Sequence, residues 1–196
     1  MLASLILSAG VPMITMGDEV GRTQAGSNNG YSLPLDGSLD SPAAYNGGWA
    51  LSWKRNEEQQ DIFETVSTLN LLRSKYLSDV IKEFFTGELD LGTSRKDLAW
   101  FRRNGEEMTD DNWHQGDRTY LAMFVDASAN QAMLMLFNGS TEEQTFTLPN
   151  EKWGSAFRSI FDSSSMTSTF EPSLAKPGDE TKVAAHAAQV WLVNRV

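Results

Sequence analysis

Apolar residues recur along this chain with two different periods, and the change comes near residue 90. Leu2, Leu5, Ile6 and Ala9 are spaced as on one helix face and predict the last turns of an amphipathic helix that Gly10 stops. Val11 to Met16 is a short apolar run closed by Gly17-Asp18-Glu19, the pattern of a buried parallel strand. Residues 20 to 50 are rich in Gly, Asn, Ser and Pro and lack periodicity, so they predict a long loop. A second helix follows. Asn56 is its expected N-cap, Glu57, Glu58 and Asp61 stand near the positive end of its dipole, and Ile62, Val66, Leu69, Leu72 and Tyr76 form one apolar stripe. Arg73 and Lys75 lie near its C-terminal end, where the dipole favours cations.

Beyond Gly92 the period is two. Leu98, Trp100 and Arg102 alternate with Ala99 and Phe101, and further strands are predicted at Tyr120 to Val125, Ala132 to Phe137, Thr145 to Leu148, Ala156 to Phe161 and Gln189 to Val193. Asn138-Gly139 and residues 126 to 130 supply turn signals. Short strands at this spacing predict an antiparallel sandwich from about residue 93, with Trp100, Phe124, Leu134, Leu136 and Trp191 in its core. Trp100, Trp113, Trp153 and Trp191 fall on or beside strands, as core packing or as a stacking platform for a ligand; Trp49 and Trp53 flank the long loop and suit a ligand better.

Composition narrows the function classes. With 196 residues, 40% hydrophobic and 21% charged, the chain is long and apolar enough for a globular core. A net charge of −10 offers no basic face for nucleic acid. There are no cysteines, which rules out thiolate metal sites and makes the cytoplasm the expected compartment. Met1 to Ala9 lacks the preceding positive charge of a signal peptide, and the run through Ile14 is too broken by Gly10 and Pro12 to cross a membrane. No cofactor fingerprint appears, and no metal is expected. His114 and His186 lack ligand spacing, and Asp110, Asp111, Asn112 and Asp117 lack the EF-hand pattern. Thr109 or Asp110 is better read as the cap of a short helix holding Trp113.

One collinear series of motifs goes further. Gly10-Val11-Pro12-Met13-Ile14-Thr15-Met16-Gly17-Asp18-Glu19 resembles the eighth strand of the (β/α)8 barrel in glycoside hydrolase family 13. The continuation Gly21 to Tyr31, Leu51-Ser52-Trp53, Phe84-Phe85-Thr86-Gly87, Asp97 to Phe101 and Gly105 to Trp113 resembles the isoamylase and glycogen-debranching branch. The interval from Ser32 to Ala50 is longer here than in typical family members. The fold class implied is α+β. Residues 1–90 would be the end of a catalytic barrel (seventh helix end, strand eight, long loop, helix eight), and residues 91–196 a C-terminal antiparallel β-sandwich.

The resemblance implies a parent that hydrolyses α-1,6 branch linkages in glycogen or limit dextrin. It also implies that the family's catalytic Asp, Glu and Asp precede Met1, so that this chain holds no catalytic residue and is inactive alone. Retaining glycosidases need two carboxyls about 5 Å apart across the scissile bond. Asp18 and Glu19 are adjacent at a strand end and would point to opposite faces. They contact substrate or bond to loop backbone. Arg22, Gln24, Asn28, Asn29, Tyr31 and Trp49 present guanidinium, amide and aromatic groups suited to a glucan, although Asn and Gly also serve loop geometry. Other readings are a non-catalytic glycan-binding or interaction module and one half of a split enzyme. An orphaned strand at Val11 to Met16, with both edges open, leaves three outcomes: the segment disorders, folds back over the sandwich, or pairs with a copy of itself as a homodimer, which the uncharged apolar run before Asp18 favours.

Overall fold

A computed structural model describes residues 1–22, 55–78, 84–91, 95–116, 118–126, 131–165 and 169–194. Helix α1 spans Leu2–Ile6 and α2 spans Glu57–Leu72. A short hairpin, β1 (Leu89–Asp90) with β2 (Arg95–Lys96), then leads into β3 (Leu98–Phe101). Helix α3 (Asp110–Trp113) precedes β4 (Tyr120–Asp126), β5 (Gln131–Asn138), β6 (Gln144–Thr147), β7 (Ala156–Asp162), β8 (Leu174–Ala175), β9 (Glu180–Val183) and β10 (Ala188–Asn194). Six strands form one antiparallel sheet in the order β3-β4-β5-β10-β7-β8, and β6 pairs with β9 in a separate two-stranded sheet.

The large sheet is covered on both faces, giving three layers. Toward the small sheet point Phe101, Ala122, Phe124, Leu134, Leu136, Trp191 and Val193, packed with Phe146, Leu148 and Val183. Toward α1 and α2 point Met123, Val125, Met133, Met135, Val190 and Leu192, packed with Ile6, Leu7, Val66, Leu69 and Leu72. Neighbouring residues along β4, β5 and β10 thus alternate between two apolar interiors, which is why these strands read as unbroken hydrophobic runs. Of the expected sandwich core, Phe124, Leu134, Leu136 and Trp191 occupy the interior beneath the small sheet. Trp100 lies on the other face, partly buried against the helix layer. At Val190/Trp191 the β7 register shifts by one residue, and Ile160 and Phe161 both reach the helix-side core.

Two segments differ from their sequence reading. Helix α1 ends at Ile6, and its buried residues are Ala3, Ile6 and Leu7, while Leu5 and Ala9 are exposed. Val11 to Met16 is not a strand. Val11, Met13 and Met16 are 90%, 83% and 76% exposed, and only Ile14 packs on the helix-side core. A parallel barrel strand is held by ladders on both edges, and no described strand lies beside this segment to supply one.

Helix α2 begins as predicted. Asn56 Oδ1 accepts from Gln59 N at 2.8 Å, and Asn56 N donates to Gln59 Oε1 at 3.1 Å, a reciprocal cap. The helix runs on into a π-helical turn, Arg73–Leu77, which buries Leu77. Arg73 does not serve its own helix end. Its guanidinium donates to Ile6 O and Ser8 O, each at 2.7 Å, and to Gly10 O, tying down carbonyls at the end of α1 and in the turns after it. Burial lowers its pKa from the ordinary guanidinium value. The group keeps its proton, because arginine starts so far above neutral pH.

Ahead of the sheet, Asp97 organises the turn at Thr86-Gly87. Its carboxylate accepts from Thr86 N at 2.7 Å, Gly87 N at 2.8 Å and Thr86 Oγ1 at 3.2 Å. Burial pushes this carboxyl up, but these hydrogen bonds, with one from Leu98 N, outweigh it and hold the pKa below the ordinary value.

Candidate functional site

Of the residues singled out for the glucan site, the structure brings together Asp18, Glu19 and Arg22. They sit on a 3-10 turn, Asp18–Val20, between Gly17 and Gly21, both left-handed, at φ 101° and 62°. The chain doubles back there: Val20 N and Arg22 N both donate to Gly17 O, at 3.1 and 2.9 Å. Glycine suits position 21 because its φ of 62° is left-handed; a Cβ there would also lie 2.8 Å from Ile62 Cδ1, the movable tip of a side chain on α2, against which the turn rests. Glu19 Oε2 accepts from Gly17 N at 2.7 Å, and Asp18 Oδ1 pairs with Arg22 Nε at 3.1 Å. The two carboxylates are therefore held by a turn and not by the pleat of a strand. Each has a partner within the turn, and both remain part-exposed. Gln24, Asn28, Asn29, Tyr31 and Trp49, with Trp53, lie outside the described residues.

The tryptophans do not form one platform. Trp191 is buried, and Trp153 packs edge-on to Phe101 and Phe124, with ring centroids at 4.8 and 5.1 Å, under the small sheet. Trp100 lies on the opposite face of the large sheet. Trp113 departs from the core expectation altogether. It closes α3, which Thr109 N-caps, and is 50% exposed. Beside it, Met108, Asn112, Gln115, Arg118 and Tyr120 line a cleft of about 400 Å³. Sequence alone could not separate this residue from the packed aromatics, because a four-residue helix carries no periodicity to show which way its last side chain points.

Among the described residues, no cluster of three or more His, Asp or Glu side chains is arranged to hold a metal. None of the described helices is long and apolar enough to cross a membrane.

Comparison with known proteins agrees with this architecture. Residues 97–196 match the family "Isoamylase, C-terminal". An isoamylase from a Flavobacterium species is 31% identical over 189 residues, covering 93% of this chain and 22% of that protein. A glycogen operon protein GlgX homolog from Mycobacterium tuberculosis is 28% identical over 175 residues, covering 83% and 23%. Among solved structures, pullulanase type I from Bacillus subtilis, complexed with maltose, superposes with a TM-score of 0.63 at 16% identity, covering 98% of this chain and 22% of that one. Pullulanase from Anoxybacillus superposes at 0.59 with 14% identity, covering 100% and 22%. The chain thus spans about a fifth to a quarter of the length of the curated relatives it matches. Its motifs, its β-rich C-terminal half and these matches agree, and the chain belongs to the isoamylase C-terminal family of the glycogen-debranching and isoamylase-type enzymes.

Proposed function

We propose that this chain is the C-terminal portion of a glycogen debranching hydrolase that cleaves α-1,6 branch linkages in glycogen or limit dextrin with retention. The observation that carries the reading is collinearity: similarity to an isoamylase runs through 93% of the chain but only 22% of that enzyme. Residues 1–90 would close the catalytic barrel, and residues 91–196 would buttress it. The loop after Gly21 would contribute Arg22, Gln24, Asn28, Asn29, Tyr31 and Trp49 to the glucan site of the whole enzyme. Retention requires a nucleophile and an acid about 5 Å apart. Asp18 and Glu19, engaged by Arg22 and by Gly17 N, organise the loop beside that chemistry and do not perform it. The chain alone is inactive.

The test is paired. This chain, and the protein read from the genomic sequence on the N-terminal side of Met1 through Val196, are each incubated with phosphorylase limit dextrin while reducing ends are counted. Release by the longer protein alone is expected. Release by this chain that survives repurification overturns its inactivity, and no release by the longer protein overturns the debranching assignment.

A further inference from the structure

We propose that the cleft beside Trp113 is a glucan-binding site, which takes a segment of an α-1,4-linked glucose chain. The choice of glucose polymer rests on the function proposed above; the shape and chemistry of the cleft do not. Trp113 is held in place and left open at once. Its ring centroid lies 5.7 Å from that of Trp100 at 83°, and Trp100 is anchored on β3 against the helix-side core. Half of the Trp113 side chain still faces solvent. The exposed half of this ring, held in place by Trp100, has the shape that stacks on the C–H face of a pyranose.

The polar lining fits the edges of the same sugar. Arg118 donates to Gln115 Oε1 at 2.7 Å and to Met108 Sδ at 3.1 Å, and its guanidinium lies 5.9 Å from the Tyr120 ring. Its Nε is buried with no hydrogen-bond partner, and the guanidinium has no carboxylate partner among the described residues. Each terminal nitrogen of Arg118 carries two N–H donors and uses one in these bonds, so one on each remains for a ligand oxygen, while the buried Nε is out of a ligand's reach. Asn112 Oδ1 is occupied by Thr109 N and Thr109 Oγ1, each at 3.0 Å, which turns the amide to keep its N–H donors for other partners. Gln115 is arranged the same way, its oxygen taken by Arg118. One aromatic ring flanked by amide and guanidinium donors recognises hydroxyl pairs around an apolar face.

Charge selects among ligands. Asp110 and Asp111 stand in the first turn of the same helix, and the chain carries a net −10, so an anionic partner is disfavoured and a neutral polysaccharide is not. A volume of about 400 Å³ lies at the small end of the ligand-cleft range, about 300–1,000 Å³, as suits a short stretch of a longer polymer. Such a site would act through attachment. A glucan held there keeps its neighbouring branches close to this molecule.

The experiment is a titration of this ¹⁵N-labelled chain with maltoheptaose, following the indole N–H signals, the Arg118 Nε–H and the Thr119 amide. Saturable shifts at Trp113, Arg118 and Thr119 are expected, with a Kd between about 0.1 and 10 mM, the range for one stacked ring and a few hydrogen bonds. The buried Trp191 indole should not move. Trp113→Ala should weaken binding about tenfold or more, read at Arg118 and Thr119, and Gln115→Ala should weaken it less; dispersed spectra of both variants would confirm that they fold. Unmoved Trp113 and Arg118 signals at saturating maltoheptaose, or unchanged affinity in Trp113→Ala, overturn the site. Equal shifts with cellohexaose overturn its preference for the α-linked chain, and shifts with inorganic phosphate but not maltoheptaose make it an anion site instead. Binding here with no debranching by the longer protein would leave the site standing and remove the function, and the reverse result would do the opposite.

Discussion

Replacing Asn138 with alanine should cost about 3–4 kcal/mol of stability, because this one side chain ties the end of β5 to two neighbouring turns. Asn138 is 3% exposed. Its Nδ2 donates to Glu142 O at 2.7 Å, Val183 O at 3.1 Å and Ala184 O at 2.9 Å, while its Oδ1 accepts from Ser140 N at 3.0 Å and Ser140 Oγ at 2.7 Å. Two amide hydrogens serve three carbonyls, so one is shared, and the set amounts to about four hydrogen bonds worth ~1 kcal/mol net each. Water reaching the part-buried Glu142 O returns some of that, which leaves about 3–4 kcal/mol. The expected fall in Tm is about 10 °C, at ~2–4 °C per kcal/mol for a chain of this size. Thermal and urea melts followed by circular dichroism supply the number.

Asn138→Asp keeps the shape but turns an oxygen toward three carbonyls, which raises the folded-state pKa above the unfolded value near ~3.9. A raised acid stabilises below its unfolded pKa and destabilises as pH climbs toward its folded one. The aspartate variant should therefore lose stability relative to the parent between pH 4 and pH 7, at up to ~1.4 kcal/mol per pH unit. An alanine variant within 1 kcal/mol of the parent, or an aspartate variant with no relative loss across that range, would refute the assignment of Asn138 as the tie.

Arg73→Met should release α1, with faster amide exchange over residues 3–9 and a loss of about 2–3 kcal/mol; Arg73→Lys should not restore it, since one ammonium cannot span the carbonyls of Ile6, Ser8 and Gly10. Asp97 holds a depressed pKa, so its contribution is present above the unfolded carboxylate value and disappears as pH falls through the folded one; the Thr86 and Gly87 amides should lose protection in strong acid, and in Asp97→Asn that protection should be weak and independent of pH. Gly105→Ala should cost about 2 kcal/mol by urea melt, since φ is 77° and a Cβ would sit 2.9 Å from Thr147 O; Gly178→Ala, with φ 82° and open space, should cost about 1. Light scattering across a tenfold dilution should show self-association that Met13→Lys suppresses, because Val11, Met13 and Met16 present an apolar row to solvent; a monomer mass throughout would refute it.

The sheet strands were legible because their apolar runs are bounded by turn residues, and β4, β5, β7 and β10 fall within a residue of the predicted spans. That both faces of the sheet are covered was not legible, since period two says only that neighbouring residues face opposite ways, and an unbroken apolar run leaves open what lies on each side. β8 and β9 escaped notice for want of signal: Leu174–Ala175 is two residues, and Glu180–Val183 buries only Val183. The reading of Val11 to Met16 failed for another reason. Its composition suits a barrel strand, but strand formation belongs to the pair, and the described sheets bring no partner to it. At the candidate site, Asp18 and Glu19 read as the end of a strand with side chains on opposite faces, and the 3-10 turn that holds them depends, like the Arg73 clamp and the Trp113 cleft, on placement that spacing does not encode.

The family match begins at Asp97, yet the interior does not divide there. One side of the large sheet closes on residues that all lie after that point. The other side is finished by Ala3, Ile6, Leu7, Val66, Leu69, Leu72 and Leu77. A recombination event at residue 97 would strip Met123, Val125, Met133, Met135, Val190 and Leu192 of their cover, and any new N-terminal partner would have to bring side chains of matching shape. Substitutions in these helices and in the methionine-rich strands are thus coupled, and the unit that can be inherited or transplanted intact is larger than the unit recognised by sequence.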